Sequence, residues 1–323
     1  MPKRGHKKKD APLPYADDPE SLGAWMKRYV GWLRVKQYAT TTVERQEGYL
    51  RAFIAWSALR SLVRPQDITK PILEGYQRTL FYHRQPDGRP LSARAQHSRL
   101  VPVRAFFKWL TKNNVLLYNP AGELELPRLE YRLPKAVLTA EEAEAVMVRP
   151  DIHEPTGLRD RAILEVLYST GMRRMEVIGL HVFDLDIERG TVMIRQGKGK
   201  KDRMVPMGQR ALGWVQRYVE KARPELVVPP DDGTLFLTTM GQSITPSRMS
   251  QLVKDYVDAA DLGKRGSCHL FRHTMATLML QGGADIRFIQ QMLGHVSLET
   301  TQMYTQVSIV MLKQVHEATH PAK

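Results

Sequence analysis

Residues 269–305 read HLFRHTMATLMLQGGADIRFIQQMLGHVSLETTQMYT, and expectations for the second half of the chain start from this stretch. Apolar residues recur in it at helical spacing, which predicts helices over 268–281, 286–293 and 298–304. Gly294 follows the second run directly, where a glycine commonly ends a helix. Polar side chains that can do chemistry lie along the stretch: His269, Arg272, His295 and Tyr304.

A β-hairpin signal lies upstream of these helices. Two short runs, Thr191–Arg195 and Arg203–Pro206, flank a Gly-Lys-Gly-Lys turn at 197–200. Helical patterns surround the hairpin, and Thr139 with Glu142 forms a capping box that starts the first of them. The predicted second domain is therefore mixed α+β, mainly helical with one small sheet.

Four amphipathic patterns precede it and predict a helical bundle. The first begins at Ser21, the second follows a predicted cap at Thr40–Thr42, and the others cover 68–82 and 92–110. The last carries four outward basic residues, which we expect to contact DNA as a set, although any single one is more often a solvated side chain. They are Arg94, Arg99, Arg104 and Lys108.

Proline-rich and basic segments divide the chain. Residues 1–20 form a basic arm, for which a solvated leader and a DNA-tracking role are equally good interpretations. Prolines at 120, 127 and 134 predict a linker over 119–138. The predicted domains are a helical DNA-binding domain over 21–118 and a catalytic domain over 139–307, followed by a tail over 308–323.

Charge points to a polyanionic partner. The 323 residues carry a net charge of +14, of which 21–130 contribute +10 and 131–323 only +3. Apolar runs are far too short for a membrane helix, and the N-terminus opens with charge rather than a signal peptide. A single cysteine, Cys268, cannot form an internal disulfide, so a cytoplasmic protein is expected.

Two distant arginines suggest a phosphate site. Arg173 follows the Thr170-Gly171 turn and Arg272 lies near the start of a helix, so their guanidiniums could hold one phosphate. Two ordinary salt-bridged arginines are the alternative. The hairpin adds a further basic cluster that could contact phosphate, although charged Gly-Lys turns are common on surfaces: Lys198, Lys200, Lys201 and Arg203.

A metal site is disfavoured by ligand count. His269 and His273 have the spacing of two zinc ligands on one helix face. No glutamate completes an HExxH motif between them and no cysteine pair exists, so no metal is predicted. A tyrosine such as Tyr304, taken alone, is more often a packing residue than a nucleophile.

Taken in order, however, these segments resemble the catalytic set of the tyrosine recombinases, the family of phage integrases and Xer recombinases. The matching segments are Leu167–Glu176, Gly197–Arg203, His269–His273, and Leu293-Gly294-His295 with Tyr304 nine residues later. The resemblance is strong over 139–307. Over 21–115 it is limited to the general pattern of a small basic helical bundle that precedes the catalytic domain. Size and layout are most similar to bacterial Xer-type proteins, with a longer basic leader as a departure.

The resemblance implies a mechanism. Tyr304 would attack a DNA phosphodiester to give a 3′-phosphotyrosyl link and a free 5′-hydroxyl, with neither ATP, metal nor other cofactor. Arg173 and Arg272 would hold the nonbridging phosphate oxygens.

It also implies the remaining roles. Lys198 would be the general acid, His269 the general base and His295 a hydrogen-bond donor to the phosphate. Glu176 would support the site indirectly. His273 would pack or orient a neighbour, and Cys268 would be a small buried residue.

An assembly is implied as well. The family fold is a two-domain, C-shaped clamp around duplex DNA, with a helical core-binding bundle and a mixed α+β catalytic domain. Four protomers would act on two recombination sites, as a homotetramer or with a paralogue. The tail over 308–323 would dock into a neighbour, with self-packing nearly as good an interpretation.

Two other functions stay open from the sequence. One is a type IB topoisomerase-like enzyme that relaxes a single duplex, and the other is a DNA-binding regulator on the same scaffold. Within recombination, the sequence does not separate integration, excision and dimer resolution.

Overall fold

The chain folds into two compact units, Met1–Tyr131 and Arg132–Lys323, in a computed structural model. The structure describes residues 12–129, 137–195, 202–294 and 301. The division falls within the segment predicted as a linker, and the exact limits of the five predicted segments stay predictions. No helix in the described parts of the chain has both the length and the apolar character needed to cross a membrane.

The described residues of the first unit, 12–129, form a bundle of four helices, as predicted. Ser21 and Ser92 cap two of them, each by accepting a hydrogen bond from the backbone N–H three residues on, at 3.2 Å. The helices are α1 Leu22–Val35, α2 Thr40–Ala58, α3 Lys70–Tyr82 and α4 Ala93–Lys112, with a 3₁₀ turn at Pro65–Asp67.

Aromatic side chains fill the core of this unit. Phe53 and Phe107 are fully buried with ring centroids 6.0 Å apart, and Tyr29 packs on Phe106 at 5.5 Å. The predicted cap at Thr40–Thr42 is wrong. These threonines lie inside the first turn of α2, whose N-cap is Ala39 without a side-chain hydrogen bond, because the β-branched run enters the helix itself.

The second unit is mainly helical with a small sheet, as predicted. Thr139 and Glu142 form the expected capping box of its first helix. The helices are α5 Ala140–Met147, α6 Pro155–Thr170, α7 Arg174–Ile178, α8 Gln209–Arg217, α9 Arg223–Leu226, α10 Pro246–Ala259, α11 Cys268–Gln281 and α12 Ile286–Leu293, with a 3₁₀ turn at Val182–Asp184. The predicted helix over 298–304 lies almost wholly outside the described residues.

The sheet is antiparallel, in the order β1-β2-β3. Its strands are β1 Leu185–Asp186, β2 Thr191–Ile194 and β3 Arg203–Pro206. Val192, Ile194 and Val205 alternate toward the core, which is the pattern that predicted the hairpin. The sequence missed β1 because two residues carry no alternation.

The single helix predicted over 209–223 is interrupted. A π-helical turn at Tyr218–Ala222 joins α8 to α9. Pro224 lies in the first turn of α9, and since its ring cannot pack against the carbonyl four residues earlier, a widened turn accommodates it. The Tyr218 hydroxyl donates to the Leu235 carbonyl at 3.0 Å from this turn.

Candidate active site

The first segment of the site is the turn that joins α6 to α7. α6 ends at Thr170, and Gly171 has φ +59°, in the left-handed region. A Cβ there would lie 2.1 Å from the Met275 methyl carbon and 3.1 Å from a Leu293 methyl, so a substitution would displace the end of the Met275 side chain in addition to straining the backbone. The turn delivers Arg173 to the N-terminus of α7.

Arg173 is fixed at this position by Glu176. The Arg173 backbone N–H donates to Glu176 Oε2 at 2.8 Å, and its guanidinium Nη1 donates to Oε1 at 2.9 Å. Both bonds run from Arg173 to the Glu176 carboxylate, which satisfies the N-cap backbone N–H of α7 and pairs with the guanidinium. Because a guanidinium has five N–H donors, Arg173 keeps donors for a ligand while it is held in place.

Arg272 reaches the same region from α11. Its side chain is buried, with the residue only 5% exposed. Nη1 donates to the Gly171 carbonyl at 2.6 Å and Nη2 to the Leu293 carbonyl at 2.8 Å. The guanidinium thus lies between the C-terminal ends of α6 and α12, whose carbonyls are the negative ends of the helix dipoles.

α12 ends in a second left-handed glycine. Gly294 has φ +61°, and its carbonyl accepts a hydrogen bond from Arg173 Nη2 at 3.1 Å. Arg173, at the start of α7, therefore donates to the end of α12, and Arg272, on α11, donates to the end of α6. Glycine suits both positions because the residue that ends each helix has a left-handed backbone conformation.

Arg203, the first residue of β3, completes the group. Its Nη1 and Nη2 donate to the two oxygens of Glu176 at 2.9 and 2.8 Å, and its Nε donates to the Met292 carbonyl at 3.2 Å. The side chain is 14% exposed. We call Arg173, Arg203, Arg272 and Glu176 the arginine cluster.

Titratable groups near the arginine cluster have displaced pKa values. Burial alone would raise the pKa of Glu176, but hydrogen bonds from Arg203 and Arg173 hold it below its usual value, so this carboxylate is ionised. Partial burial, followed by the charges of Arg272, Arg174 and Arg173, lowers the pKa of His269. His269 is therefore a neutral imidazole at neutral pH, able to accept a proton.

Comparison with known proteins identifies the family. Residues 136–309 match the phage integrase family. The chain belongs to this family. It is 47% identical to "Tyrosine recombinase XerC 2" of Ralstonia nicotianae over 94% of this chain and 87% of that protein, and 34% identical to "Tyrosine recombinase XerD" of Pseudomonas aeruginosa over 90% and 94%. It is thus a tyrosine site-specific recombinase of the Xer type, an enzyme that cuts and rejoins DNA.

Solved structures share the fold. The XerA recombinase is 26% identical with a TM-score of 0.53, covering 93% of this chain and 99% of that one. The XerH recombinase bound to a palindromic difH substrate after cleavage gives a TM-score of 0.73 at 20% identity, covering 96% and 98%. At that identity, the second similarity speaks for the fold alone.

The described structure brings together three of the residues predicted for the site of this recombinase: Arg173, Arg272 and the supporting Glu176. His269 lies close enough for the charges of both arginines to lower its pKa. Three others lie outside the described residues: Lys198, His295 and Tyr304. The second histidine of α11, His273, has a pKa lowered to about 4, first by burial and then by the charges of His269 and Arg272. Cys268 is buried, as expected.

The predicted DNA-contact residues divide into two groups. On α4, Arg94 and Lys108 are exposed, Arg99 and Arg104 are half-buried, and Arg99 lies over the Tyr49 ring at 5.9 Å. Lys200 and Lys201 lie outside the described residues. Arg203, which is predicted to contact DNA together with these two lysines, directs its guanidinium at Glu176 and the end of α12.

Sequence reasoning missed two parts of the site. One is Arg174, which donates to Ser250 Oγ at 2.6 Å and adds positive charge beside His269. The Arg-Arg pair at 173–174 was a signal for it. The other is the set of helix-end carbonyls that hold the arginines, for which only the two glycines, Gly171 and Gly294, gave a hint.

Proposed function

We propose that this recombinase cuts DNA by attack of the Tyr304 hydroxyl on a phosphodiester at its recombination site. The O–P bond that forms gives a 3′-phosphotyrosyl link, and the bond that breaks releases a 5′-hydroxyl. That hydroxyl then attacks the phosphotyrosyl link of a partner strand and restores the tyrosine. Because the link retains the phosphodiester energy, the exchange needs no ATP.

The observation that carries this proposal is that helix-end carbonyls hold the guanidiniums of both Arg173 and Arg272 in place. Negative charge grows on the nonbridging oxygens as phosphorus becomes pentacovalent, and donors already fixed in place stabilise it without reorganisation. Arg173 donates to a carbonyl at the end of α12, and Arg272 donates to carbonyls at the ends of both α6 and α12. Both guanidiniums are therefore fixed before DNA arrives. Their bidentate geometry suits phosphate oxygens.

Acid–base chemistry falls to three further residues in this proposal. A phenol with an ordinary pKa near ~10 must lose its proton to attack, and the neutral imidazole of His269 can accept it. Lys198 donates a proton to the leaving 5′-oxygen, and His295 donates a hydrogen bond to the phosphate. The roles of Lys198 and His295 rest on the family resemblance.

The partner in this proposal is a duplex recombination site, bound by a tetramer of this chain or of this chain with a paralogue. Among structures of similar fold, lambda integrase is recorded as a tetramer bound to a Holliday junction, with a TM-score of 0.65 at 18% identity. We place the reaction in the cytoplasm, because the single cysteine, Cys268, suits a reducing environment.

Covalent trapping tests the proposal. The wild-type protein and its Tyr304→Phe variant are incubated with fragmented host DNA and denatured, and the DNA that stays attached is sequenced from its ends. We expect adducts from the wild type alone, concentrated at one short inverted-repeat site. Adducts scattered over all sequences would indicate a topoisomerase. Adducts that survive in Tyr304→Phe, or none from the wild type, would contradict the proposed nucleophile.

A further inference from the structure

Glu176 is shared by two arginines. Its Oε1 accepts from Nη1 of both Arg173 and Arg203, each at 2.9 Å, and its Oε2 accepts from Arg203 Nη2 and from the Arg173 backbone N–H, each at 2.8 Å. Four donors thus saturate one buried carboxylate. From this geometry we propose that Arg203 is a positioning residue for the phosphate-holding Arg173 and that it acts through Glu176, an inference that rests on the proposed function.

Charge balance explains why the second arginine matters. One carboxylate between two guanidiniums leaves a net positive charge, so Arg173 can still attract a phosphate. Without Arg203, the buried Glu176 would pair with Arg173 alone and offset the positive charge that the phosphate needs. Its carboxylate would also lose the fork of donors that fixes its plane, and Arg173 would lose a fixed partner.

A third hydrogen bond from Arg203 reaches the other group that holds Arg173, the end of α12. Arg203 Nε donates to the Met292 carbonyl in the last turn of α12. A Cβ on Gly294 would lie 3.0 Å from the Arg203 guanidinium carbon, so the guanidinium packs directly on the peptide whose carbonyl accepts from Arg173. Arg203 therefore fixes both groups that hold Arg173: the carboxylate on α7 and the end of α12.

These interactions distinguish Arg203 from a DNA-contact residue. A side chain that binds the phosphate backbone presents its donors to solvent and contributes salt-dependent affinity. Arg203 is 14% exposed and directs all three of its nitrogens at protein oxygens. Its substitution should therefore change the rate of cleavage and leave DNA affinity unchanged.

The test compares Arg203→Gln, Glu176→Gln and the double variant. The probe is a synthetic duplex carrying the site recovered from wild-type adducts, and the readouts are the single-turnover rate of adduct formation and the Kd. We expect Arg203→Gln to slow cleavage by ~10- to 100-fold, the range for removal of a charge-assisted hydrogen bond, with Kd unchanged. The double variant should be no slower than the slower single variant, because both residues act on the same guanidinium.

Arg223 supplies a matched control. Its buried guanidinium donates to the two oxygens of Asp231 at 2.8 and 2.7 Å and to the Thr234 carbonyl, in the same unit of the chain. Arg223→Gln removes an equivalent set of bonds and should lower the melting temperature without changing the cleavage rate of the folded protein. Arg203→Lys keeps the charge but not the fork, so we expect it to restore cleavage in part.

The outcomes separate the two proposals. Cleavage by Arg203→Gln at the wild-type rate, a deficit that multiplies with that of Glu176→Gln, or a weaker Kd with a normal rate would each overturn the positioning role. If Arg203→Gln does not fold, the rate of Arg203→Lys decides, and a rate equal to the wild type counts against the inference. Absence of any wild-type adduct overturns the proposed function and, with it, this inference.

Discussion

Two sets of basic side chains in this protein differ in how they are held. On α4 of the first unit, Arg94 and Lys108 are exposed, and with Arg104 they form no ion pair with any other described residue. In the second unit, Arg173, Arg203 and Arg272 are largely buried and donate to helix-end carbonyls and to Glu176. The sequence shows the same residue types in both places.

From this difference we infer that one set contributes to DNA affinity and the other to the rate of the reaction. Exposed cations on a helix release counterions when they meet phosphates, so they add affinity that falls with salt and carries little geometric information. Cations fixed before the ligand arrives stabilise charge that appears only during the reaction. We therefore expect changes on α4 to alter binding and changes in the arginine cluster to alter the rate.

The largest expected effect is at Arg173. Arg173→Gln should slow single-turnover cleavage by ~10²- to 10³-fold, the cost of losing one fixed donor to a developing oxyanion. Kd for the same duplex should stay within a few-fold of the wild type. Arg94→Gln, on the exposed face of α4, is the matched control and should cut at the wild-type rate. A large loss of binding by Arg173→Gln would erase the contrast between the two sets.

A smaller effect is expected where a glycine supports the arginine cluster. Gly294→Ala forces a side chain into the left-handed region, which costs about 1–2 kcal/mol, and places a Cβ 3.0 Å from the Arg203 guanidinium. Cleavage should fall together with stability.

Gly283→Ala is the control for that variant. Gly283 also has a positive φ, +86°, but a Cβ there would meet nothing within 4 Å. It should lose stability to a similar degree and keep its cleavage rate, as measured by thermal unfolding and adduct formation. An equal drop in cleavage in both variants would mean that packing against Arg203 is unimportant.

On α4 we expect an effect on binding alone. The double change Arg104→Gln and Lys108→Gln should reduce the slope of log affinity against log salt by about 0.9 for each DNA phosphate that the variant no longer neutralises. Cleavage at saturating DNA should not change. Lys254→Gln is a suitable control, because Lys254 is an exposed lysine of the other unit that pairs with Asp258 at 2.8 Å. An unchanged salt slope in the double variant would remove α4 from the DNA interface.

The smallest expected effect is a displaced titration. Burial and the nearby arginines disfavour the charged form of His269, so its pKa in the protein without DNA should lie below the usual 6.5. NMR titration of the imidazole protons measures it directly, with His269→Gln to assign the signal. A midpoint at or above the usual value would mean that neither burial nor the nearby arginines lower the pKa of this histidine.

Sequence alone predicted the elements whose patterns are local. The periodicity of α11 and α12, the Thr139 capping box and the two hairpin strands β2 and β3 needed only neighbouring residues, and each of these appears in the structure. The family resemblance then supplied candidate residues for the site. The link from Arg203 to Glu176 was not predictable in this way, because it joins segments 27 positions apart through tertiary packing.

The same limit applies to the supports of the arginines. Arg272 donates to a carbonyl 101 positions away and Arg173 to one 121 positions away, and backbone carbonyls leave no trace in a sequence. The glycines that end α6 and α12 indicated where these helices stop. They did not indicate which side chains would donate to the helix-end carbonyls.

The central claim is that the fixed positive charge of the arginines stabilises negative charge on the scissile phosphate. The most direct test is to remove the charge from that phosphate. A duplex whose scissile phosphate is replaced by an uncharged methylphosphonate is offered to the wild type and to Arg173→Gln, and the rates of Tyr304 adduct formation are compared. We predict that the large deficit of Arg173→Gln on the phosphate substrate shrinks to a few-fold on the methylphosphonate. An equally large deficit on both substrates would contradict the claim.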